Sequence, residues 1–115
     1  MKKAVNAMTV HYTLDCYNIK ILVKQVEENG GRYDVNIQSN HNPLSFGNTL
    51  FSATTEEHAK RVANQLCTFY SMARVNGYFL EGKFFRRPNS EEISAEDVLM
   101  QERSKEEMHA LLQEV

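Results

Sequence analysis

The sequence predicts an α+β fold, in which an antiparallel sheet of four to five strands is covered by one long helix and followed by a short helical C-terminal tail. Short alternating segments fill the first half of the chain, one long segment after residue 54 has helical spacing, and the C-terminal end is acidic and amphipathic. The length of 115 residues, with 42% hydrophobic and 24% charged residues, is typical of one globular domain.

The first two predicted strands occupy residues 8–16 and 18–27. In the first, alternate residues form an apolar side, which consists of Met8, Val10, Tyr12, Leu14 and Cys16. The second is rich in β-branched residues, which favours a strand. Its alternation slips between Val23 and Val26, where a β-bulge would fit.

A hairpin and two further strands are predicted next. Asn29 and Gly30 tolerate the positive φ angles that a type I′ hairpin turn requires. In the strand after it, Tyr33, Val35 and Ile37 are expected to face the core, and Asp34, Asn36 and Gln38 to face outward. Residues 40–43 are expected to form a loop, and residues 48–53 a fourth strand.

The long helix is predicted to start at Thr54, which with Glu57 matches a capping box. Apolar residues then recur at helical spacing for about five turns. The helix is predicted to end at Asn76 and Gly77, with Gly77 in the left-handed conformation. Residues 78–85 are rich in aromatic side chains and are expected to return as a strand, or as a short hairpin at Glu81 and Gly82.

The charge distribution divides the chain into a body, residues 1–90, and an acidic amphipathic tail, residues 91–115. The body holds eleven Lys/Arg and seven Asp/Glu, a net charge of +4, whereas the tail holds two and eight, a net charge of −6. Ser94 and Ser104 are predicted helix caps, so the tail forms either one helix with a polar middle or two short helices.

The sequence contains no pattern that supports catalysis, a bound metal or a cofactor. His11, His41, His58 and His109 lack the spacing of metal ligands. There is no Gly-rich phosphate loop and no nucleophile motif. The chain is therefore expected to have no enzymatic activity, no catalytic residues, no metal and no cofactor.

Membrane binding is not expected either, since no run of 18 apolar residues occurs. Cys16 and Cys67 have no metal-ligand spacing, and neither has a basic setting that would activate a thiol. They are predicted to be reduced thiols in a cytoplasmic protein.

The tail suggests a non-enzymatic protein-interaction module, such as an adaptor, inhibitor or regulator of a larger assembly. A short amphipathic helix is marginal by itself and needs an apolar surface to cover. Met108, Leu111 and Leu112 are the predicted apolar anchors, and Arg86 and Arg87 the basic contact surface for the tail or for an acidic partner. The partner would be another protein or a second copy in a homodimer; alternatively, the tail completes the core of its own chain.

A nucleic-acid-binding module is the alternative function. Cations beside exposed aromatic rings are typical of proteins that bind single-stranded nucleic acid. The residues predicted for this role are Arg74, Lys83, Phe84, Arg86 and Arg87. If residues 83–87 form a strand, however, one of the two phenylalanines faces the core.

Overall fold

The computed structural model describes residues 8–26, 31–39 and 48–113. These residues confirm the α+β fold class: a four-stranded antiparallel sheet is covered by one long helix, and a small second sheet and two short helices follow. In chain order the elements are β1 (Met8–Cys16), β2 (Ile19–Val26), β3 (Arg32–Ser39), β4 (Asn48–Ala53), α1 (Glu56–Val75), β5 (Phe79–Glu81), β6 (Phe84–Arg86), β7 (Ile93–Ser94), α2 (Ala95–Leu99) and α3 (Lys105–Gln113).

The main sheet is a meander, with its strands in the order β1-β2-β3-β4. The residues that alternate toward α1, such as Val23 and Val35, are completely buried against Leu66 and its neighbours in one core. The expected turn at Asn29 and Gly30 and the expected loop at residues 40–43 lie outside the described residues. No helix in the described part of the chain is long and apolar enough to cross a lipid bilayer.

The irregularity expected in the second strand lies in the first instead. The pairing of β1 with β2 shifts between Val10 and Tyr12, whereas β2 pairs with β3 without a break. A bulge moves the residues on its two sides to opposite faces of the sheet. Val10 is therefore exposed rather than apolar-side core, while Tyr12 and Leu14 pack against the core.

The sheet face opposite α1 contains two buried polar side chains that were expected to be exposed. Asp34 accepts hydrogen bonds from Arg32, at 3.0 Å, and from the Ser52 hydroxyl, at 2.7 Å. Asn36 donates to the Thr49 hydroxyl at 3.0 Å. The bonds to Ser52 and Thr49 cross from β3 to β4, whereas Arg32 lies on β3 itself; together these contacts satisfy the buried polar groups.

The aromatic segment after α1 does not extend the main sheet. β5 and β6 form a hairpin around Gly82, which has a φ of 62°, and β6 also pairs with β7, a strand that the sequence did not predict. Phe85 points into the core, with its ring centroid 5.0 Å from that of Phe69, whereas Phe84 points outward. The hairpin therefore presents one face to the core and one to solvent.

The start of α1 differs by one residue from the prediction. The N-cap is Thr55 rather than Thr54, because the Thr55 hydroxyl accepts a hydrogen bond from the backbone N–H of His58 at 3.1 Å. The predicted end is confirmed: Asn76 is the C-cap, and Gly77 has a φ of 89°.

The tail forms two short helices, of which the second begins with the predicted capping box. The Ser104 backbone N–H donates to Glu107, and the Glu107 N–H donates to the Ser104 hydroxyl. Met108 and Leu112 are 3% and 0% exposed, in the same core as the buried face of α1. Of the alternatives that the sequence left open for the tail, the structure therefore shows packing on the body of the same chain.

The Gln65 side chain of α1 also holds the tail, by three hydrogen bonds to its backbone. The Gln65 amide nitrogen donates to the carbonyl oxygens of Val98 and Gln101, at 3.0 Å each. Its amide oxygen accepts from the backbone N–H of Arg103 at 3.4 Å. The tail is therefore bound to α1 in two ways, by apolar packing and by the hydrogen bonds of Gln65 to the tail backbone.

The sequence predicted two reduced thiols, and this prediction is wrong. Cys16 and Cys67 form a disulfide in the structure. Their Cα atoms are 5.7 Å apart, within the range that a disulfide spans. A separation of 51 residues gave no local motif that would predict the bond. It joins the end of β1 to the middle of α1.

Shortening Leu112 is expected to lower the free energy of unfolding by about 2–5 kcal/mol, because Leu112→Ala leaves a cavity between the tail and α1. Met100→Ala is the matched control, since Met100 is 67% exposed in the same tail and should change the stability by about 0.5 kcal/mol or less. Urea denaturation measures both values. Equal, small losses would mean that the tail does not share the core.

Reducing the disulfide is expected to lower the free energy of unfolding by about 4 kcal/mol, since the bond closes a long loop and so restricts the unfolded chain. Urea denaturation with and without a reducing agent measures the loss, and the intact mass, which differs by two hydrogens, reports the state of the bond. The variant with both Cys16→Ala and Cys67→Ala is the control, because a reducing agent should not change its midpoint.

Candidate functional site

Exposed aromatic rings and arginines meet where the β1–β2 turn, the C-terminal end of α1 and the β5–β6 hairpin come together. We call the set of Tyr17, Arg74, Phe79, Phe84 and Arg86 the aromatic–arginine surface. Tyr17 and Phe79 are 60% and 55% exposed, and Phe84 is also exposed. Large apolar side chains left in water at adjoining positions are characteristic of interaction sites.

Contacts between neighbours make this surface continuous. The Arg74 guanidinium carbon lies 5.5 Å from the ring centroid of Tyr17 and 4.7 Å from that of Phe79. Phe79 pairs with Arg86 across the hairpin, and the Arg86 guanidinium carbon lies 5.8 Å from the Phe84 ring centroid. Each arginine therefore lies within cation–π distance of at least one exposed ring.

Tyr17 occupies the turn between β1 and β2 in an unusual backbone conformation. Its φ is 57°, a region that favours glycine and costs a tyrosine about 1–2 kcal/mol. The turn is attached to α1 on both sides of Tyr17: the Tyr70 hydroxyl donates to the Asn18 side-chain oxygen at 2.9 Å, and Cys16 is bonded to Cys67. The fold thus holds this ring at the surface against a local conformational preference.

Arg74 lies in the last turn of α1, where a cation also interacts favourably with the helix dipole. Its Nη1 donates to the Tyr78 carbonyl oxygen at 3.3 Å, and its Nε is enclosed without a hydrogen-bond partner. Within the described ranges Arg74 forms no ion pair. Its positive charge is therefore not compensated by a carboxylate there.

Arg86, by contrast, has two carboxylate partners. Its Nε lies 3.1 Å from Glu81, and its Nη1 lies 2.7 Å from Glu92. Glu92 belongs to the acidic C-terminal segment, so one contact between that segment and Arg86 forms within the chain. The two glutamates surround Arg86 with more negative than positive charge.

Arg87 borders the aromatic–arginine surface, in a hollow that Phe79 and Arg86 also line, whereas Lys83 lies outside it. The Arg87 guanidinium carbon lies 4.4 Å from the ring centroid of the buried Tyr78, and its nitrogens donate to the Asn76 carbonyl and the Ser90 hydroxyl, both at 3.0 Å. Lys83 is exposed at the hairpin turn and lines a different hollow, beside β4 and Glu96. Of the five residues predicted to bind nucleic acid, four therefore lie at or beside the aromatic–arginine surface, and Lys83 lies apart from them.

The three side chains predicted to bind a partner through the tail are not freely accessible in the folded chain. Met108 and Leu112 are buried in the core, and Leu111 is half-buried against it. A partner could reach the first two side chains only if α3 moved away from α1. Their predicted role in partner binding is not tested by this packing.

Sequence reasoning did not select Tyr17 and Phe79. The signal for Tyr17 was weak: a tyrosine stood alone between the predicted strands 8–16 and 18–27, at a turn position where glycine or asparagine is usual. Phe79 was part of an aromatic run whose inward and outward residues depend on the hairpin register. Its exposure follows from the pairing of Leu80 with Phe85 on the inner face.

Metal chemistry has no visible basis in the described ranges, which contain no group of three or more potential ligands from His, Cys, Asp and Glu. His41 lies outside those ranges. Comparison of the chain with protein-family models, with curated proteins and with solved structures gave no match. The site is therefore interpreted from its own chemistry.

Stability is expected to fall at alkaline pH because of Tyr70. Burial raises the pKa of the Tyr70 hydroxyl above its ordinary value of 10.0, against the opposing effect of Arg74. As the pH rises past about 10, the unfolded chain therefore releases this proton before the folded chain does. The stabilisation is complete below that pH and is lost as the pH rises through the folded-state pKa.

Urea denaturation at several pH values between about 8 and 11 measures this dependence. Tyr70→Phe keeps the ring and removes the ionisable hydroxyl, so its stability should fall less steeply over the same range. Parallel pH profiles for the two proteins would contradict the assignment to Tyr70.

Proposed function

We propose that this protein is a non-enzymatic protein-interaction module that binds another protein through the aromatic–arginine surface and acts as an adaptor, inhibitor or regulator. The continuous arrangement of exposed rings and arginines is the observation that carries this proposal. Aromatic residues and arginine are enriched at the centres of protein interfaces, where they supply most of the binding free energy.

The side chains of the aromatic–arginine surface are held in fixed positions, which favours specific binding of a partner over nonspecific association. Tyr17 is on a turn attached to α1 by the disulfide and by Tyr70, and Arg86 is oriented by Glu81 and Glu92. Side chains that are already ordered lose less conformational entropy when a partner binds. A surface built in this way can bind with useful affinity over a small area.

The charge of this region favours a protein partner over a nucleic acid. Two carboxylates lie against Arg86, and Arg87 is engaged within the chain. Binding to a phosphate backbone requires several cations free to neutralise successive phosphates. Here Arg74 is the cation of the surface with no ion pair in the described ranges.

Self-association through the tail is not part of this proposal, because the apolar side of α3 packs on α1 of the same chain. The proposed partner is therefore a different protein and not a second copy of the chain. A homodimer is an outcome that the experiment below can detect.

The proposed cytoplasmic location is linked to the redox state of the cysteines. Lasting disulfides are typical of oxidising compartments, whereas disulfides of cytoplasmic proteins are usually transient and connected with catalysis or redox sensing. In the cytoplasm, Cys16 and Cys67 would therefore be expected to be reduced, and the turn at Tyr17 would still be held on α1 by the hydrogen bond between Tyr70 and Asn18.

Site-specific crosslinking in the producing cell tests the proposed surface. Benzoylphenylalanine at position 79 is expected to form a discrete protein adduct, because that ring is at the centre of the surface. The same residue at position 10 is the matched control: Val10 is also exposed, but it lies about 20 Å away along β1 from Tyr17. The adduct from position 79 should decrease strongly in a Tyr17→Ser background.

Three results would contradict the proposal. Adducts of equal intensity from both positions would mean that the surface has no special role. An adduct destroyed by nuclease would assign the surface to nucleic acid instead. An adduct with twice the mass of the chain would mean that the surface binds a second copy of the chain and not a different protein.

A further inference from the structure

Resting on the proposed function, we infer that the segment bound by the aromatic–arginine surface carries an aspartate or glutamate side chain that pairs with Arg74. The uncompensated charge of this arginine, beside two exposed rings, points to this chemistry. The inference specifies the partner as a short peptide segment with one carboxylate between apolar residues.

Arg74 differs from the other arginines in the contacts it makes. Arg32, Arg61 and Arg86 each form an ion pair with a carboxylate. The side chains of Arg87 and Arg103 form no ion pair in the described ranges, but each donates two hydrogen bonds within the chain. Arg74 makes one hydrogen bond, to a carbonyl oxygen. Its enclosed Nε has no hydrogen-bond partner, so one buried donor of this side chain is unsatisfied in the isolated chain.

The outer edge of the Arg74 guanidinium can accept a carboxylate. Nη1 uses one of its two hydrogens on the Tyr78 carbonyl, and Nη2 has no hydrogen-bond partner in the described part of the chain. A carboxylate approaching this end can bond to both nitrogens at once, in the geometry that makes arginine–carboxylate pairs strong. The rings of Tyr17 and Phe79 lie beside this end, and a partner that covers them would exclude water and so strengthen the attraction.

The backbone around Arg74 favours a side-chain carboxylate over a chain terminus. Capture of a C-terminal carboxylate uses free backbone N–H groups. The N–H groups of Asn76, Gly77 and Tyr78 all donate to carbonyl oxygens in the last turn of α1. None of these three donors is therefore available to a peptide terminus.

Area and charge limit the partner in the same way. The exposed parts of the three rings amount to roughly 300 Å², if an aromatic side chain presents on the order of 200 Å². This area suits a short segment, because a standard interface buries about 800 Å² on each partner. Glu81 and Glu92, beside Arg86, would repel a second acidic group, so one carboxylate is expected rather than an acidic run.

Titration with two capped tripeptides, followed by NMR of the isotope-labelled full chain, tests the inference. Acetyl-Leu-Glu-Leu-amide should shift the Arg74 Nε–H signal and the backbone signals of Tyr17 and Phe79, and should bind about tenfold more tightly than acetyl-Leu-Gln-Leu-amide. Arg74→Gln should abolish this preference. Arg61→Gln, which alters another exposed arginine of α1, is the matched control and should retain it.

Equal binding of the two peptides, no binding of the glutamate peptide at millimolar concentration, or a preference that survives Arg74→Gln would each overturn the inference. Circular dichroism and the unperturbed signals of the main sheet establish that Arg74→Gln is folded. The two failures are distinguishable. If position 79 crosslinks to a protein equally well with and without Arg74→Gln, the proposed function stands and the inference about Arg74 is wrong. If position 79 forms no protein adduct, the proposed function is wrong whatever the peptide titration shows.

Discussion

The packing of α1 between the main sheet and the tail is the interaction on which the rest of the structure depends. One side of the helix covers the four strands, and the same core extends to Phe85 of the small sheet and to Leu112 of α3. A helix covered on only one side would leave part of this apolar surface in water. The tail supplies the missing cover, and Gln65 fixes its position with hydrogen bonds to the segment between α2 and α3.

This use of the tail determines where a partner can bind. Because α3 is occupied with its own chain, a partner has to use apolar side chains that the core leaves outside. Three of these are aromatic, and they lie at the β1–β2 turn and on the outer face of the β5–β6 hairpin. The end of α1 brings these two elements together and places Arg74 beside both. The proposed interface is thus a consequence of how the core closes, and the disulfide attaches one of its two sides to the helix.

Local signals in the sequence predicted most elements of the fold. Alternation located β1 and β3, the capping box at Ser104 located α3, and the need for positive φ located the end of α1 at Gly77. Features that depend on distant residues were missed, such as the bond between Cys16 and Cys67, because their proximity exists only after the sheet meets α1. The site was predicted only in part: Arg74, Phe84 and Arg86 were selected, but exposure of Tyr17 and Phe79 depends on register and on packing.

Native-state amide hydrogen exchange of the full chain tests the central claim most directly, by comparing α3 with α1. If the tail is part of the core, the N–H groups of residues 108–112 should exchange about as slowly as those in the middle of α1, through the same cooperative unfolding. Fast exchange across α3, while α1 stays protected, would mean that the tail opens independently. The tail would then be free to act as an interaction arm, and the account given above would be contradicted.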